Sequence, residues 1–101
     1  MDRVNDLDVD ARLNMISSYR RRSVIRVLDD ESPRRFVDIV DEVADRLDED
    51  RKVIHVSLYQ THVPKLDAHG VVDFRGTDSP IRRGHNFEAV LDFLNAFEDL
   101  A

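Results

Sequence analysis

Histidine is the residue type in this chain best suited to bind a metal ion, but the spacing of its four copies argues against a metal site. His55, His62 and His69 are seven residues apart, and His85 follows after a longer interval. On one helix such neighbours lie about 10 Å apart, because each residue advances the helix by about 1.5 Å. Zinc ligands lie about 2 Å from the ion, so one helix cannot bring two of these histidines to it. We expect no metal and no other cofactor.

The chain also lacks the residue patterns of common catalytic sites. It has no cysteine, no glycine-rich phosphate loop, and neither a Ser-x-x-Lys nor a Gly-x-Ser-x-Gly sequence. Its many carboxylates are spread over predicted helix exteriors, which is typical of a solvated surface. We therefore expect no catalytic residues and a protein that is not an enzyme.

Residues 51 to 85 carry side chains that suit nucleic acid. Six basic residues lie in this stretch against three aspartates, whereas acidic residues are concentrated at 29–50 and 86–101. Lysine and arginine bind phosphate, glutamine can pair with adenine, and serine and threonine can serve bases or phosphates. The predicted DNA-binding residues are Arg51, Lys52, Ser57, Gln60, Thr61, Lys65, Arg75, Arg82 and Arg83.

A second interpretation of the arginines stays open at this point. Arginines clustered on a hairpin are common on any protein surface, where they are simply solvated. Arg20, Arg21 and Arg22 are more typical of helix-surface residues, or of ion-pair partners for nearby aspartates, than of a DNA contact.

Composition bounds the class of protein. A chain of 101 residues with 42% hydrophobic residues suits one globular domain. The net charge is −6, with 16 Asp against 5 Glu and 13 Arg against 2 Lys. This bias resembles the proteins of salt-loving archaea, in which short hydrated carboxylates keep the surface solvated; an acidic bacterial protein is the alternative. No apolar run reaches the roughly 18 residues that cross a bilayer, and no signal peptide is visible. We expect a cytoplasmic protein without a membrane partner.

Apolar periodicity and turn residues predict two helical regions in the first half of the chain. The first covers residues 8–30, as one helix or as two pieces with Ser17 or Ser18 capping the second. Pro33 ends this region, because proline cannot continue a helix. The second helix covers residues 36–47, and its apolar face consists of Phe36, Val40, Val43, Ala44 and Leu47.

The third predicted helix, residues 51–69, is the one that would be presented to DNA. Pro64 removes one backbone hydrogen bond and clashes with the carbonyl of Gln60, so we expect a kink or a late helix start. Gly70 is predicted to stop the helix. Its predicted core stripe consists of Val56, Tyr59, Val63 and Leu66.

A hairpin and a last helix complete the pattern. Residues 71–83 predict two short strands around a turn, and residues 86–100 predict a helix with Asn86 as its N-cap. The apolar face of this helix is broad for a terminal helix, which predicts a dimer interface; packing against the first helix of the same chain is the alternative. The predicted interface residues are Phe87, Val90, Leu91, Phe93, Leu94 and Phe97.

This order of elements predicts a mainly α fold with a small β-hairpin. Two helices joined by a short turn present the second one outward, and the hairpin that follows is the wing. We therefore expect a winged helix-turn-helix with an extra C-terminal helix, as a single domain over residues 1–101.

Two stretches of the sequence resemble known winged-helix proteins. Residues 62–72, HVPKLDAHGVV, are similar to the end of the recognition helix in archaeal and arsenic-repressor-type winged-helix regulators. The runs YRRRSVIRVL and VSLYQTHVPKLDAHGVVDF resemble haloarchaeal winged-helix domains catalogued as a domain of unknown function, over about residues 15–85. Those domains carry an Arg-Arg pair in the first helix and a Leu-Tyr-x-x-His-Leu-Pro-x-Leu segment in the third. The matching positions here are Leu58, Tyr59, His62, Pro64 and Leu66, with Val63 in place of a leucine.

The resemblance implies the winged-helix fold, regulatory DNA binding and a proline inside the third helix. We therefore expect a transcriptional regulator that binds double-stranded DNA as a homodimer. The alternative is a winged-helix protein–protein interaction module without DNA binding, which the acidic net charge favours.

Overall fold

The computed structural model describes residues 7–100 of the chain. Its helices are α1 (Val9–Ile16), α2 (Tyr19–Asp30), α3 (Phe36–Leu47), α4 (Arg51–Ser57), a π-helical turn (Leu58–His62), α5 (Val63–Ala68) and α6 (Phe87–Asp99). Two short antiparallel strands, β1 (Val72–Asp73) and β2 (Arg82–Arg83), lie between α5 and α6. The predicted fold class is confirmed: the protein is mainly helical, with a small hairpin and a C-terminal helix. Among the described residues, none of these helices has the length and hydropathy needed to cross a bilayer.

The predicted helical region at 8–30 folds as two helices, because each half has its own N-cap. The Asp8 carboxylate accepts the N–H of Ala11 at 2.8 Å and begins α1. The Ser18 hydroxyl accepts the N–H of Arg21 at 3.2 Å and begins α2. The apolar face of α2 lies in the core through Val24, Ile25, Val27 and Leu28.

Helix α3 has the bounds that its periodicity predicted, and it packs against α2 and α4. It ends at Asp48, whose φ of 53° is left-handed, and the N–H of Glu49 donates to the carbonyl of Ala44 at 3.0 Å. Asp50 then caps α4 by accepting the N–H of Val53 at 3.2 Å. The stop of one helix and the start of the next are therefore separated by only three residues, as a helix-turn-helix requires.

Residues 51–68 form one continuous helical segment, here called the long helix, and a π-helical turn interrupts it. The N–H of Val63 donates to the carbonyl of Leu58, five residues back instead of four. Pro64 follows at once, and in a straight α-helix its ring would clash with the carbonyl of Gln60. The wider π turn accommodates the Pro64 ring, so the helix continues through this position. The expected kink or late start is therefore replaced by a π turn.

The extra residue in the π turn changes which side chains of the long helix face the core. Leu58, the first residue of the π turn, and Val63, the first residue after it, are both buried and lie five residues apart, whereas an α-helix would need a step of three or four. The predicted stripe was wrong for Val56 and Tyr59, which are 51% and 49% exposed. The buried residues of the long helix are Ile54, Leu58, Val63 and Leu66.

Gly70 stops the long helix as its position predicted. Its φ is +72°, the N–H of Gly70 donates to the carbonyl of Asp67 at 3.0 Å, and the N–H of Val71 donates to that of Leu66 at 2.9 Å. These two bonds form a Schellman motif, which satisfies carbonyls at the helix end. The chain then turns directly into β1.

The hairpin is held at its base to the segment that precedes α3. Val72 lies opposite Arg83 and Asp73 lies opposite Arg82 in the two strands. Beside them, Arg34 and Ile81 exchange two backbone hydrogen bonds, at 2.9 and 2.7 Å. The hairpin is therefore anchored to the start of the helix-turn-helix.

Helix α6 packs against α1 and α2 of its own chain. Four of the six residues predicted to form a dimer interface are buried there, which corrects that part of the prediction, because a side chain in the core of one chain does not contact a second chain. These four are Phe87, Val90, Leu91 and Leu94. Phe93 is partly buried and Phe97 is 50% exposed, so these two remain at the surface.

The junction between the long helix and α6 is packed tightly around Gly84. Asn86 is the N-cap residue of α6, as predicted, but its side chain makes no capping hydrogen bond; it is buried, and its Nδ2 donates to the carbonyl of His69 at 2.9 Å. The N–H of Gly84 donates to the carbonyl of Val71 at 2.9 Å. A Cβ at position 84 would lie 2.8 Å from the carbonyl carbon of Gly70, and closer still to its oxygen. Position 84 therefore requires glycine.

Gly84→Ala should lower the free energy of unfolding by about 3 kcal/mol, because the added methyl group collides with backbone that has little freedom to move. Urea denaturation measures the change. Gly76→Ala is the control: a Cβ there meets no atom within 4 Å. Its cost is limited to the left-handed φ of Gly76 and should be about 1 kcal/mol. Equal losses in the two variants would show that the close approach at Gly84 is unimportant.

Candidate nucleic-acid interface

The outward side of the long helix carries a shallow groove with a volume of about 560 Å³. Two exposed valines lie within a polar surround: Val53 and Val56 are 50% and 51% exposed. Four of the nine predicted DNA-binding residues share this face with them. The groove is lined by Lys52, Val53, Val56, Ser57, Gln60 and Thr61.

Five of the predicted DNA-binding residues make no side-chain hydrogen bond or ion pair within residues 7–100. Four of them are exposed, and the fifth, Lys65, is half-buried. Their donors and charges are therefore available to a ligand. They are Lys52, Gln60, Thr61, Lys65 and Arg82.

Two of the predicted phosphate-binding arginines are already paired with carboxylates. Arg51 forms an ion pair with Asp41 of α3. Arg75 lies 3.1 Å from Asp73 in the hairpin. Both pairs are exposed, so each contributes little to stability and is weakened by salt. Their positive charge is nevertheless largely offset where a phosphate would approach.

Arg83 is directed to the end of α2. Its Nε donates to the carbonyl of Leu28 at 2.7 Å and one of its terminal nitrogens donates to that of Asp29 at 3.0 Å. Its guanidinium also lies 5.6 Å from the ring centroid of Phe87. A cation in this place satisfies the last carbonyls of α2 and offsets the negative end of its dipole. Arg83 therefore fastens the hairpin to α2.

Ser57 is hydrogen-bonded on the inner side of the long helix to an ion-pair network that was not predicted from the sequence. Its hydroxyl accepts a hydrogen bond from Arg20 at 2.9 Å, and Arg20 also pairs with Glu49 at 3.1 Å. The Tyr19 hydroxyl donates to the same Glu49 carboxylate at 2.9 Å. These hydrogen bonds from Arg20 and Tyr19 lower the pKa of Glu49 below its ordinary value. No local pattern joins positions 20, 49 and 57, because they meet only after the helices pack.

The exposed valines were missed because Val56 was assigned to the core. The sequence does contain a signal for them, since Ile54 and Leu58 form a second apolar pair at i and i+4. Two apolar stripes on one helix cannot both face a core on one side. One of them must lie outward, and it is the stripe of Val53 and Val56.

Acidic side chains lie around the start of the long helix. A second indentation of about 290 Å³ lies where α3 meets α4, and carboxylates dominate its lining. Like charges repel, so this end of the interface disfavours phosphate, while Lys52 and Arg82 favour it. The lining residues are Asp41, Ala44, Asp45, Asp48, Glu49 and Arg51.

Beneath the groove, Arg21 joins the long helix to α1 and α2. Its side chain is buried: the residue is 7% exposed. Its Nε donates to the carbonyl of Met15 at 3.0 Å, and one terminal nitrogen donates to the carbonyl of Asn14 at 2.6 Å and to the hydroxyl of Ser17 at 3.2 Å. The other terminal nitrogen lies 3.0 Å from Nδ1 of His62, in the π turn. Arg21 is thus neither the surface residue nor the aspartate partner that its sequence context suggested.

The contact with Arg21 fixes the protonation state of His62. A guanidinium only donates hydrogen bonds, so Nδ1 must accept and the imidazole must be neutral, with its proton on Nε2. Burial lowers the pKa of His62 first, and the charges of Arg21, Arg20 and Lys65 lower it further. Burial also lowers the pKa of Arg21. His62 therefore contributes an acceptor to this network only while it is uncharged.

A protein-family model described as Domain of unknown function (DUF7344) matches residues 13–82, which is more than half of the chain. The chain belongs to the DUF7344 family. The matched region runs from α1 to β2 and ends before α6. No curated protein and no solved structure matches the chain.

The DUF7344 region contains both halves of the Arg21–His62 contact. The resemblance noted in the sequence singled out the Arg-Arg pair and the histidine separately, about 40 residues apart. In the folded chain Arg21 supports the π turn through His62, while Arg20 supports Ser57. Arg20 and Arg21 therefore both position the long helix from its inner side.

The stability of the protein should fall as the pH drops below about 6.5, the ordinary pKa of histidine. His62 has a lower pKa when folded, so the unfolded chain takes up the proton first and is favoured as the pH falls. Urea denaturation midpoints at about pH 7.5 and about pH 5.5 would measure this loss of stability. Both pH values lie above the range in which Glu49 titrates, so Glu49 does not contribute to the difference.

His62→Gln is the control variant, because the amide oxygen keeps an acceptor for Arg21 but does not titrate. We expect the difference between the two pH values to shrink in this variant. An unchanged difference would assign the pH dependence to another group.

Proposed function

We propose that this protein is a DNA-binding transcriptional regulator of the winged-helix type. The observation that carries the proposal is the outward face of the long helix, where Lys52, Gln60 and Thr61 lie side by side with no partner among residues 7–100. The short turn after α3 directs this face away from the core. A helix presented in this way suits the major groove, whose width of about 12 Å admits one α-helix.

The residues on this surface divide into two roles. Lys52 on the helix and Arg82 on the hairpin would bind phosphates on either side of the groove, as would Lys65. Gln60 and Thr61 would face the bases, since an amide can pair with adenine at two points. Arg51, Arg75 and Arg83 are assigned weaker roles or none, because their charges are engaged within the chain.

We further propose that the protein acts in the cytoplasm of a halophilic archaeon. The support is compositional: aspartate greatly exceeds glutamate, and arginine greatly exceeds lysine. A surface of hydrated carboxylates stays soluble at high salt, where screening removes much of their repulsion. The same screening would reduce the acidic barrier at the start of the long helix.

Arg82→Ala should weaken DNA binding and reduce the slope of log affinity against log salt by about one, because one phosphate contact is lost. Fluorescence anisotropy with genomic duplexes at low, moderate and high salt measures both quantities. Arg26→Ala is the matched control: it removes the same charge from the α2–α6 side, where Arg26 contacts Asn95 and Glu98. No binding by the folded wild-type chain at any salt would refute the DNA-binding proposal.

We propose that the regulator forms a homodimer through α6, using the surface that α6 leaves uncovered. Phe97 is half exposed and Leu100 is 87% exposed, so this end of α6 has apolar side chains in contact with solvent. Phe93 lies one turn before Phe97 and is partly buried. Two copies joined here would present two long helices to a palindromic site.

Phe97→Ser should convert a dimer into a monomer, because it removes the exposed aromatic ring from the proposed contact. Light scattering after size exclusion, at two salt concentrations, measures the mass. Val9→Ser changes an exposed apolar residue of α1 instead of α6 and is the control. A monomeric wild-type protein would contradict the dimer proposal directly.

The second candidate is a protein–protein interaction module without DNA binding. Val53 and Val56 favour it, because exposed apolar residues beside an acidic surface are unusual for a phosphate-binding face. The salt series above separates the candidates, since phosphate contacts make DNA binding weaken as salt rises, whereas contact of the valines with an apolar protein partner does not weaken in this way.

A further inference from the structure

Val53 and Val56 are the exposed residues on the proposed DNA-binding face that phosphate binding does not explain. They lie three residues apart, about one turn of helix, and line the same groove as Gln60. Neither side chain can bind phosphate or donate a hydrogen bond. Leaving two valines in water has a cost that contact with an apolar group would relieve.

The major groove of DNA offers one apolar group, the C5-methyl of thymine. Val53 and Val56 lie about 4.5 Å apart along the helix axis, and Val53 and Gln60 lie about 10 Å apart. Base pairs along one strand are about 3.4 Å apart. The three side chains therefore span about three base-pair steps, so each valine can meet a different base pair from the one Gln60 meets.

We propose that Val53 and Val56 read thymine through its C5-methyl group, while Gln60 reads a nearby adenine, so that the preferred site is rich in A·T pairs. This inference rests on the proposed DNA-binding function and adds the base preference of the same face. Specificity then comes from two methyl contacts and one amide, and the cations supply affinity that does not depend on sequence.

The surroundings of the valines favour DNA over an apolar protein partner. Large aromatic side chains anchor most protein interfaces, but the groove contains none. Tyr59 of the long helix is half exposed but does not line the groove; its ring packs edge-on against Phe36 and Phe74, with centroids 6.1 and 6.5 Å away. What flanks the valines is Lys52, Gln60 and Thr61, which suit phosphates and base edges.

Replacement of thymine by deoxyuridine tests the inference, because the two bases differ only in the C5-methyl group. A preferred duplex would first be selected from a random pool with the full chain, and each thymine would then be replaced singly. We expect replacement at one or two positions of each half-site to weaken binding about three- to five-fold, as for the loss of one buried methyl-sized group. Replacement elsewhere in the duplex should have little effect.

Variants assign the contact to the valines. In Val56→Ala or Val53→Ala, the thymine-to-deoxyuridine ratio should fall to about one at one sensitive position and stay unchanged at the other. Val9→Ala, which shortens an exposed valine on α1, should keep both ratios. Circular dichroism would verify that each variant is folded.

The outcomes distinguish this inference from the proposed function. A ratio near one at every thymine, with tight binding to the selected duplex, would overturn the thymine contact and leave DNA binding intact. DNA binding that is unchanged in both valine variants would also overturn the thymine contact. Absence of binding at every salt concentration would overturn the inference together with the function on which it rests.

Discussion

The buried guanidinium of Arg21 is the constraint on which the placement of the long helix depends. Arg21 is 7% exposed and has no carboxylate partner among residues 7–100. Each donor of its guanidinium therefore needs an acceptor, because an unpaired buried charge costs several kcal/mol. Its partners come from α1, from the α1–α2 corner and from the π turn. Helix α1, helix α2 with Arg21 itself, and the π turn therefore have to meet in one arrangement. His62 has to stay neutral in that arrangement.

The π turn links this buried network to the surface. Pro64 disfavours a straight α-helix at Gln60, and the extra residue lets both Leu58 and Val63 face the core. The same shift leaves Val53 and Val56 on the opposite side, next to Gln60. A local backbone irregularity thus decides the chemistry of a face one to two turns away. π-bulges are frequent at functional sites, and here the change of phase decides which side chains the proposed DNA-binding face carries.

Local signals predicted most of the fold. The apolar periodicity of α3, the left-handed helix stop at Gly70 and the N-cap at Ser18 were all predicted. Each of these features depends only on residues within a few positions of one another. The core stripe of the long helix could not be predicted in the same way. Periodicity assumes 3.6 residues per turn, and one π turn shifts every position beyond it.

The candidate site was predictable in part. Ser57, Gln60 and Thr61 share a face because residues at i, i+3 and i+4 of a helix lie on the same side. Arg51 and Arg83 were predicted to face DNA because arginine suits phosphate, but α3 and α2 offered each a partner nearer in space. Four residues of α6 were assigned to a dimer because the extent of the core was unknown from sequence. Such long-range pairings leave no local pattern.

The acidic net charge of the chain is consistent with the proposed DNA binding once the two exposed valines of the interface are taken into account. Phosphate contacts weaken as salt rises, because releasing each counterion into a more concentrated salt solution gains less free energy. Contacts between valine and a thymine methyl do not weaken in this way, since apolar burial is maintained or strengthened by salts that are excluded from protein surfaces. A face with few free cations and two exposed valines therefore loses less affinity at high salt than one built on arginine alone. High salt also screens the carboxylates around Asp45 and Glu49. An acidic chain and a DNA-binding face are thus compatible where the ionic strength is high.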